Sequence, residues 1–169
     1  MDAGIRFGYV CGVSAGASNT VDYVSDDKRR VREAFMMHEA AREATSVRSL
    51  ARGHGYFDAD ALYEDAVTEG TLPFDFETFQ ANPAEVRIQA FQRDTGCTLR
   101  FGKKGMAGVV RLMDIVQASS TLPGAMTPRP VDGHVLYDGG RGEGAGLPVC
   151  MAEKDGFART FFVATRPRG

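Results

Sequence analysis

The chain has 169 residues, enough for one domain with a hydrophobic core and too few for two domains of ordinary size. Apolar residues make up 43% and charged residues 25%, the balance of a folded globular protein, which excludes general disorder. The net charge of -2 provides no basic field, so we expect no nucleic-acid partner. Three scattered cysteines favour neither a disulfide framework nor a zinc site, so we expect no metal.

The first half of the chain is predicted to place one short strand before several helices. An apolar run over Phe7–Gly12 is typical of a buried strand. Good helix formers and apolar residues at helical spacing predict helices over Ala17–Val24 and Lys28–Ala44, and a further helix that begins at Asp58 or Asp60 and ends at Gly70. A turn and a short helix follow over Leu72–Phe79.

The second half is predicted to contain two hairpins and two helices. The strands of the hairpins are Val86–Phe91 with Cys97–Phe101, and Arg129–Val131 with His134–Tyr137, the second pair joined by the turn Asp132-Gly133. Helices are predicted over Val109–Ser119 and between Pro148 and Gly156, and a last apolar strand over Thr160–Ala164. Without a linker or an internal repeat, residues 1–169 form one mixed α/β domain.

A serine motif lies where the first strand is predicted to meet the first helix. Gly12-Val13-Ser14-Ala15-Gly16 fits the Gly-x-Ser-x-Gly pattern, in which a tight strand-to-helix turn exposes a nucleophilic serine. We expect Gly12 and Gly16 to be needed because a side chain at either position would collide with neighbouring backbone. The N–H of Ala15, at the positive end of the helix dipole, is expected to bind an oxyanion.

A nucleophilic serine needs a base, and two residues compete for that role. His134 follows the Asp132-Gly133 turn and is expected to be an exposed hairpin residue, which disfavours a Ser–His–Asp esterase. Asp138 ends a predicted strand and is followed by Gly139 and Gly140, which let another segment approach closely. An Asp-Gly-Gly sequence is also ordinary in surface turns, so only the combination with the serine motif favours Asp138.

Together these motifs resemble the patatin-like phospholipases, and the resemblance extends over nearly the whole chain. It is carried by Gly12–Gly16, by Asp138-Gly139-Gly140, by Ala118–Pro123, which is similar to a loop near that family's active site, and by Thr165–Gly169. The resemblance implies a three-layer α/β/α sandwich with a mostly parallel central sheet. It also implies a lipid acyl hydrolase without a cofactor, in which Ser14 is the nucleophile, Asp138 is the base and Ala15 supplies one oxyanion-hole N–H.

The sequence departs from the family's pattern at its beginning. Only 13 residues precede Ser14, whereas the resemblance implies a Gly-rich oxyanion loop and a first strand several tens of residues upstream. The glycine-rich run Gly140–Gly146 follows the base and is expected to form a turn there rather than a nucleotide-binding loop. We therefore expect a partial domain that lacks the first strand and is prone to aggregation, and an inactive or lipid-binding remnant is the alternative function.

Contact with a membrane surface is the remaining expectation. Two apolar groups, Phe35-Met36-Met37 and the phenylalanines at 74, 76 and 79, are candidates for an acyl-chain cleft or a lipid-facing surface, although core positions are the simpler interpretation. The cations of Lys28-Arg29-Arg30 are a second candidate for transient contact with anionic lipid. Since no signal peptide or membrane-spanning stretch is seen, we expect a cytoplasmic protein, with an N-terminus that is not necessarily complete.

Overall fold

The computed structural model describes residues 4–33, 73–128 and 130–163. Residues 28–33 are helical, as predicted, but the rest of that helix and the helix expected to end at Gly70 lie outside the described residues. The elements, in chain order, are β1 (Tyr9–Val13), α1 (Ala15–Val24), α2 (Phe76–Ala81), β2 (Glu85–Gln92), β3 (Thr98–Gly102), α3 (Val109–Ser120), β4 (Pro130–Val131), β5 (His134–Asp138) and α4 (Val149–Lys154).

Both predicted hairpins are confirmed. β2 and β3 pair antiparallel, with Ala90 opposite Leu99, and β4 and β5 pair antiparallel across the turn at Asp132 and Gly133. The two turn residues have φ angles of 53° and 77°, the left-handed values that a two-residue hairpin turn requires. The turn sequence therefore determines this connection locally.

The sheet is organised around β2. β1 lies parallel to β2, whereas β3 and β5 lie antiparallel to it and β4 extends the sheet from β5. The α/β fold class is confirmed. Within the described residues the sheet is mixed rather than mostly parallel. The β2–β3 and β4–β5 hairpins are antiparallel because a tight turn can join only antiparallel strands, and β5 also lies antiparallel to β2.

Helices cover both faces of β1, which gives the expected three layers. On one face, Gly12 lies against α1 so closely that a Cβ there would be 2.1 Å from the carbonyl oxygen of Gly16. On the other face, the Tyr9 hydroxyl donates to Asp155 at 2.9 Å, and the Cys11 thiol lies 3.6 Å from the carbonyl oxygen of Pro148, at the start of α4. Successive strand residues point to opposite faces, so this alternation follows from the pleat of β1.

The hydrophobic core lies between β2, α1 and α3. Its fully buried members include Val21, Ile88, Leu112 and Ile115. Phe79 is fully buried, and Phe74 and Phe76 pack against the same core. These three rings are thus core residues, whereas Phe35-Met36-Met37 lies outside the described residues.

The strand predicted over Thr160–Ala164 is wrong for residues 160–163, which have no regular secondary structure, and Ala164 lies outside the described residues. Phe161 and Val163 are 74% and 75% exposed. The apolar composition gave the strand signal, but no strand of the described sheet pairs with this segment. Phe161 instead stacks on the ring of Phe7, with 5.7 Å between the ring centroids.

The basic run near residue 28 includes a cation that does not face solvent. Arg30 is buried and lies 3.0 Å from a carboxylate oxygen of Asp22, with its guanidinium 5.1 Å from the centroid of the Phe74 ring. Arg30 is therefore part of the interior. In the part of the chain that the structure describes, no helix is both long and apolar enough to cross a bilayer.

Candidate active site

Ser14 is the only residue between β1 and α1, and its backbone is strained. Its φ and ψ angles are 56° and -128°, a region that residues with a side chain rarely adopt. The Ser14 carbonyl accepts the N–H of Ala17 at 2.8 Å. The Ser14 side chain makes no capping hydrogen bond to α1, all of whose residues the structure describes. This is the geometry of a serine elbow, in which a strand turns into a helix within one residue.

The two glycines of the serine motif differ in what their positions require. A Cβ at Gly12 would lie 2.1 Å from the Gly16 carbonyl oxygen and 2.5 Å from the Thr20 hydroxyl, so the expected collision is confirmed there. A Cβ at Gly16 would meet nothing within 4 Å, so the expectation of a collision at that position is wrong. The close approach is one-sided, because the backbone of Gly16 touches Gly12 while its own Cα faces open space.

The first turn of α1 offers backbone donors beside Ser14. Ala15 is the first residue of α1 and is exposed, and the first N–H groups of a helix have no acceptor within it. The positive end of the helix dipole lies at the same place. A backbone N–H at this position can bind a developing negative charge, and the oxyanion role of Ala15 stays a prediction.

Asp138 is the last residue of β5 and is buried. Its N–H donates to the Thr121 carbonyl at 2.8 Å, and its Oδ1 accepts the N–H of Gly140 at 2.7 Å. A Cβ at Gly139 would lie 2.2 Å from the Gln89 carbonyl oxygen and 3.0 Å from Cγ1 of Val13. The glycine after the aspartate therefore permits the close approach predicted for it.

The C-terminal ends of β1 and β5 meet at one edge of β2. Because β3 occupies the other edge along Arg87–Phe91, β1 and β5 must share the remaining one. Val13 lies opposite Gln89, and Asp138 lies opposite Ala90. Neighbouring strand residues are about 3.3 Å apart, so the two strands end head to head, with Ser14 and Asp138 at the junction.

A buried hydrogen-bond network lies beneath this junction. The Ser14 N–H donates to Oγ of Ser119 at 2.9 Å, and that hydroxyl donates to the Gln89 carbonyl at 2.6 Å. The Gln89 side chain donates through Nε2 to the carbonyl oxygens of Gly139 and Glu143, each at 2.8 Å. Gln89 is thus linked to the serine elbow through Ser119 and binds the segment after Asp138 directly.

The glycine-rich segment after Asp138 forms a turn, as predicted, rather than a separate loop. Gly139–Arg141 is a single turn of 3-10 helix, and the Glu143 N–H donates to Oγ1 of Thr98 at 2.8 Å. The Glu143 carboxylate pairs with Lys154 and Arg100, which hold its pKa below the ordinary value. These contacts attach the segment to β3 and α4.

His134 is not at the junction. It is exposed, it begins β5, and its Nδ1 lies 3.1 Å from the Gln92 side-chain nitrogen. Asp138 is four residues further along the strand, a separation of about 13 Å. The expectation that His134 is an exposed hairpin residue is confirmed, while His38 and His54 lie outside the described residues.

A cavity of about 530 Å³ lies away from Ser14. It is lined by Arg6, Phe7, Tyr23 and Asn82, among others, and Phe7 precedes β1 whereas Ser14 follows it. The exposed side chains of Leu122 and Leu147 are closer to the junction. Leu122 follows Thr121, whose carbonyl accepts the Asp138 N–H, and Leu147 follows Gly146, whose Cα would lie 3.8 Å from a Cβ at Gly140.

Sequence reasoning did not assign a role to Ser119 or Gln89. Ser119 belongs to the segment that carried part of the family resemblance, so the resemblance indicated its neighbourhood without its contacts. Gln89 takes a polar position in a strand of alternating residues, so no signal in the sequence indicated that its side chain is buried.

The family model described as a patatin-like phospholipase (Patatin) matches residues 1–150 of the chain. No curated protein matches the chain closely enough to count as a relative.

Proposed function

Since the chain belongs to the patatin-like phospholipase family, we propose that it is a lipid acyl hydrolase in which Ser14 and Asp138 form the catalytic dyad. The observation that carries this proposal is the head-to-head meeting of β1 and β5, which brings both residues to one point of the sheet. Neither motif alone would carry it, because each occurs by chance in short turns.

The reaction begins with attack of the Ser14 hydroxyl oxygen on the carbonyl carbon of a lipid ester. Asp138 takes the hydroxyl proton as the new C–O bond forms. Its Oδ1 accepts the Gly140 N–H, so we assign the proton to Oδ2. The carbonyl oxygen becomes an oxyanion, and the Ala15 N–H at the start of α1 stabilises it.

The tetrahedral intermediate then loses the alcohol. The bond between the carbonyl carbon and the alcohol oxygen breaks, and the leaving oxygen takes the proton back from Asp138, which leaves an acyl ester on Ser14. Water attacks this ester while Asp138 accepts a proton from it, and the fatty acid is released as Ser14 regains its hydroxyl hydrogen. These steps balance without a metal or a cofactor.

The test compares ester hydrolysis and covalent labelling in matched variants. Wild-type protein should hydrolyse a p-nitrophenyl ester and take up one equivalent of a fluorophosphonate on Ser14. Ser14→Ala should lose both reactions, and Asp138→Asn should slow them by about 10²–10⁴-fold, the range of general base catalysis. Ser18→Ala on the same helix and Asp132→Asn in an exposed turn serve as controls and should react as wild type does.

Three results would contradict the dyad. Equal rates in wild type, Ser14→Ala and Asp138→Asn would show that neither residue takes part. Loss of activity in His134→Ala, with Asp138→Asn active, would favour the Ser–His–Asp arrangement. Binding to phospholipid vesicles without labelling of Ser14 would instead support the lipid-binding remnant.

A further inference from the structure

We propose that Ser119 and Gln89 form a positioning bridge, two buried side chains that hold the Ser14 elbow and the Asp138 turn in one fixed arrangement. The inference rests on the proposed function, since it concerns the geometry of the same two residues. The proposal gives neither Ser119 nor Gln89 a direct contact with the reacting atoms. Both act through the backbone of the segments that carry the dyad.

The Ser119 half of the bridge holds the elbow. Its side chain is fully buried, and its Oγ accepts the Ser14 N–H while donating to the Gln89 carbonyl. The hydroxyl is therefore both an acceptor and a donor in the same arrangement. A positive φ at a residue with a side chain persists only where its surroundings hold it. Ser119 supplies such a restraint at the residue where the Ser14 hydroxyl originates.

The Gln89 half of the bridge holds the turn after Asp138. Gln89 is buried, and its amide nitrogen donates to two carbonyls of the turn, those of Gly139 and Glu143. Buried amide groups that lose their partners are costly, so the turn is held against β2 by more than packing. The same residue lies opposite Val13, the last residue before the elbow.

The strand ladders do not provide this coupling directly. In the described sheet β1 pairs with β2, and β5 pairs with β2 and β4, so no ladder of backbone hydrogen bonds joins the ends of β1 and β5 directly. The bridge therefore sets the relative position of the Ser14 hydroxyl and the Asp138 carboxylate. A misplacement of about 1 Å between reacting groups lowers a rate by up to about a hundredfold.

The chain offers a matched control for a test. Ser120 is the neighbour of Ser119 at the end of α3, and its buried Oγ has no hydrogen-bond partner among the described residues. Ser119→Ala and Ser120→Ala thus remove the same group from adjacent positions, but only the first breaks the bridge. Ser119→Thr retains the hydroxyl, and Gln89→Met removes the amide donors at similar size.

Two readouts on the full chain distinguish positioning from general stability. The first is fluorophosphonate inactivation, separated into the binding constant and the maximal rate constant. We expect Ser119→Ala and Gln89→Met to lower the maximal rate about tenfold to a hundredfold with unchanged binding, and Ser119→Thr to recover most of the loss. The second is amide hydrogen exchange at Ser14 measured by NMR, which should accelerate in Ser119→Ala and not in Ser120→Ala.

The outcomes separate this inference from the proposed function. Equal inactivation rates in Ser119→Ala and Ser120→Ala, or unchanged exchange at Ser14, would overturn the bridge while the dyad stands. If Ser119→Ala does not fold, the inactivation rate of Gln89→Met decides the matter, and a rate equal to that of wild type would overturn the bridge. A wild-type chain that never labels at Ser14 would overturn the dyad, and the exchange measurement would then decide alone whether the bridge holds the elbow.

Discussion

Gly139 rests on the backbone of Gln89, so closely that a Cβ at position 139 would lie 2.2 Å from the Gln89 carbonyl oxygen. That oxygen also accepts the Ser119 hydroxyl, and the Gly139 carbonyl in turn accepts the Gln89 side chain. The residue after the candidate base is therefore enclosed by backbone that cannot move without displacing β2. The absence of a side chain at position 139 is what allows Asp138 to end its strand beside β1.

We expect Gly139→Ala to lower the free energy of unfolding by about 1–3 kcal/mol, because an added methyl group has no space and the neighbouring atoms belong to the backbone. Labelling of Ser14 should fall with it, since Asp138 would be displaced. Gly105→Ala is the control, because a Cβ at Gly105 would meet nothing within 4 Å. Urea denaturation of both variants measures the difference, and equal stability would contradict the close contact.

The structure predicts an unequal response at the two glycines of the serine motif. Gly12→Ala should destabilise the protein by about 1–3 kcal/mol or more, because its methyl group would meet the Gly16 carbonyl. Gly16→Ala has open space and lies in a helix, where alanine is favoured over glycine by up to about 1 kcal/mol. Melting temperatures and Ser14 labelling rates of the two variants check this, and a Gly16→Ala variant as damaged as Gly12→Ala would contradict it.

Local signals in the sequence predicted the parts of the site that depend on local geometry. The hairpin turn at Asp132-Gly133 fixed the direction of β5, and the Gly-x-Ser-x-Gly spacing marked the elbow at Ser14. Each feature depends on a few adjacent residues whose backbone preferences are strong. The position of Asp138 at the end of β5 followed from the same hairpin.

The contacts between distant segments could not be predicted in this way. Ser119 and Ser14 are 105 residues apart, and no local pattern distinguishes Ser119 from Ser120. The strand expected over Thr160–Ala164 failed for a related reason, because a strand requires a pairing partner that composition alone does not reveal. Where Gly16 is concerned, the motif indicated a close approach but not which of the two glycines needed it.

A buried ion pair involves Asp22, near the C-terminal end of α1 and away from Ser14. Asp22 and Arg30 are both buried, with Oδ1 and Nε 3.0 Å apart but not aligned for a hydrogen bond. Burial raises the pKa of Asp22 to about 6, although the charge of Arg30 acts to lower it, and burial also lowers the pKa of Arg30. Loss of hydration therefore outweighs the attraction between the charges.

This pKa has a consequence for stability that can be measured against pH. Asp22 binds a proton more readily in the folded chain than in the unfolded chain, where its pKa is about 3.9, so its contribution to stability is complete below pH 4 and is lost as the pH rises through 6. Between pH 7 and 4, wild type should gain up to about 3 kcal/mol relative to Asp22→Asn. The contributions of other carboxylates cancel when the free energies of unfolding of the two proteins are subtracted. Denaturation of both proteins across this pH range measures that difference. If the stability of Asp22→Asn rises relative to wild type as the pH falls, the attraction to Arg30 outweighs the loss of hydration at Asp22.

Two exposed leucines beside the junction predict a preference for long acyl chains. Leu122 and Leu147 are 47% and 55% exposed. Leu122 follows the residue whose carbonyl accepts the Asp138 N–H, and Leu147 follows Gly146, which lies beside Gly140. An apolar contact contributes about 0.8 kcal/mol per buried CH₂, so Leu122→Ser or Leu147→Ser should lower kcat/KM for a dodecanoate ester about threefold to tenfold and leave an acetate ester nearly unchanged. Val110→Ser is the control, because Val110 is 44% exposed but lies at the opposite end of α3. Equal losses on both esters, or the same effect in Val110→Ser, would show that these leucines do not contact the acyl chain.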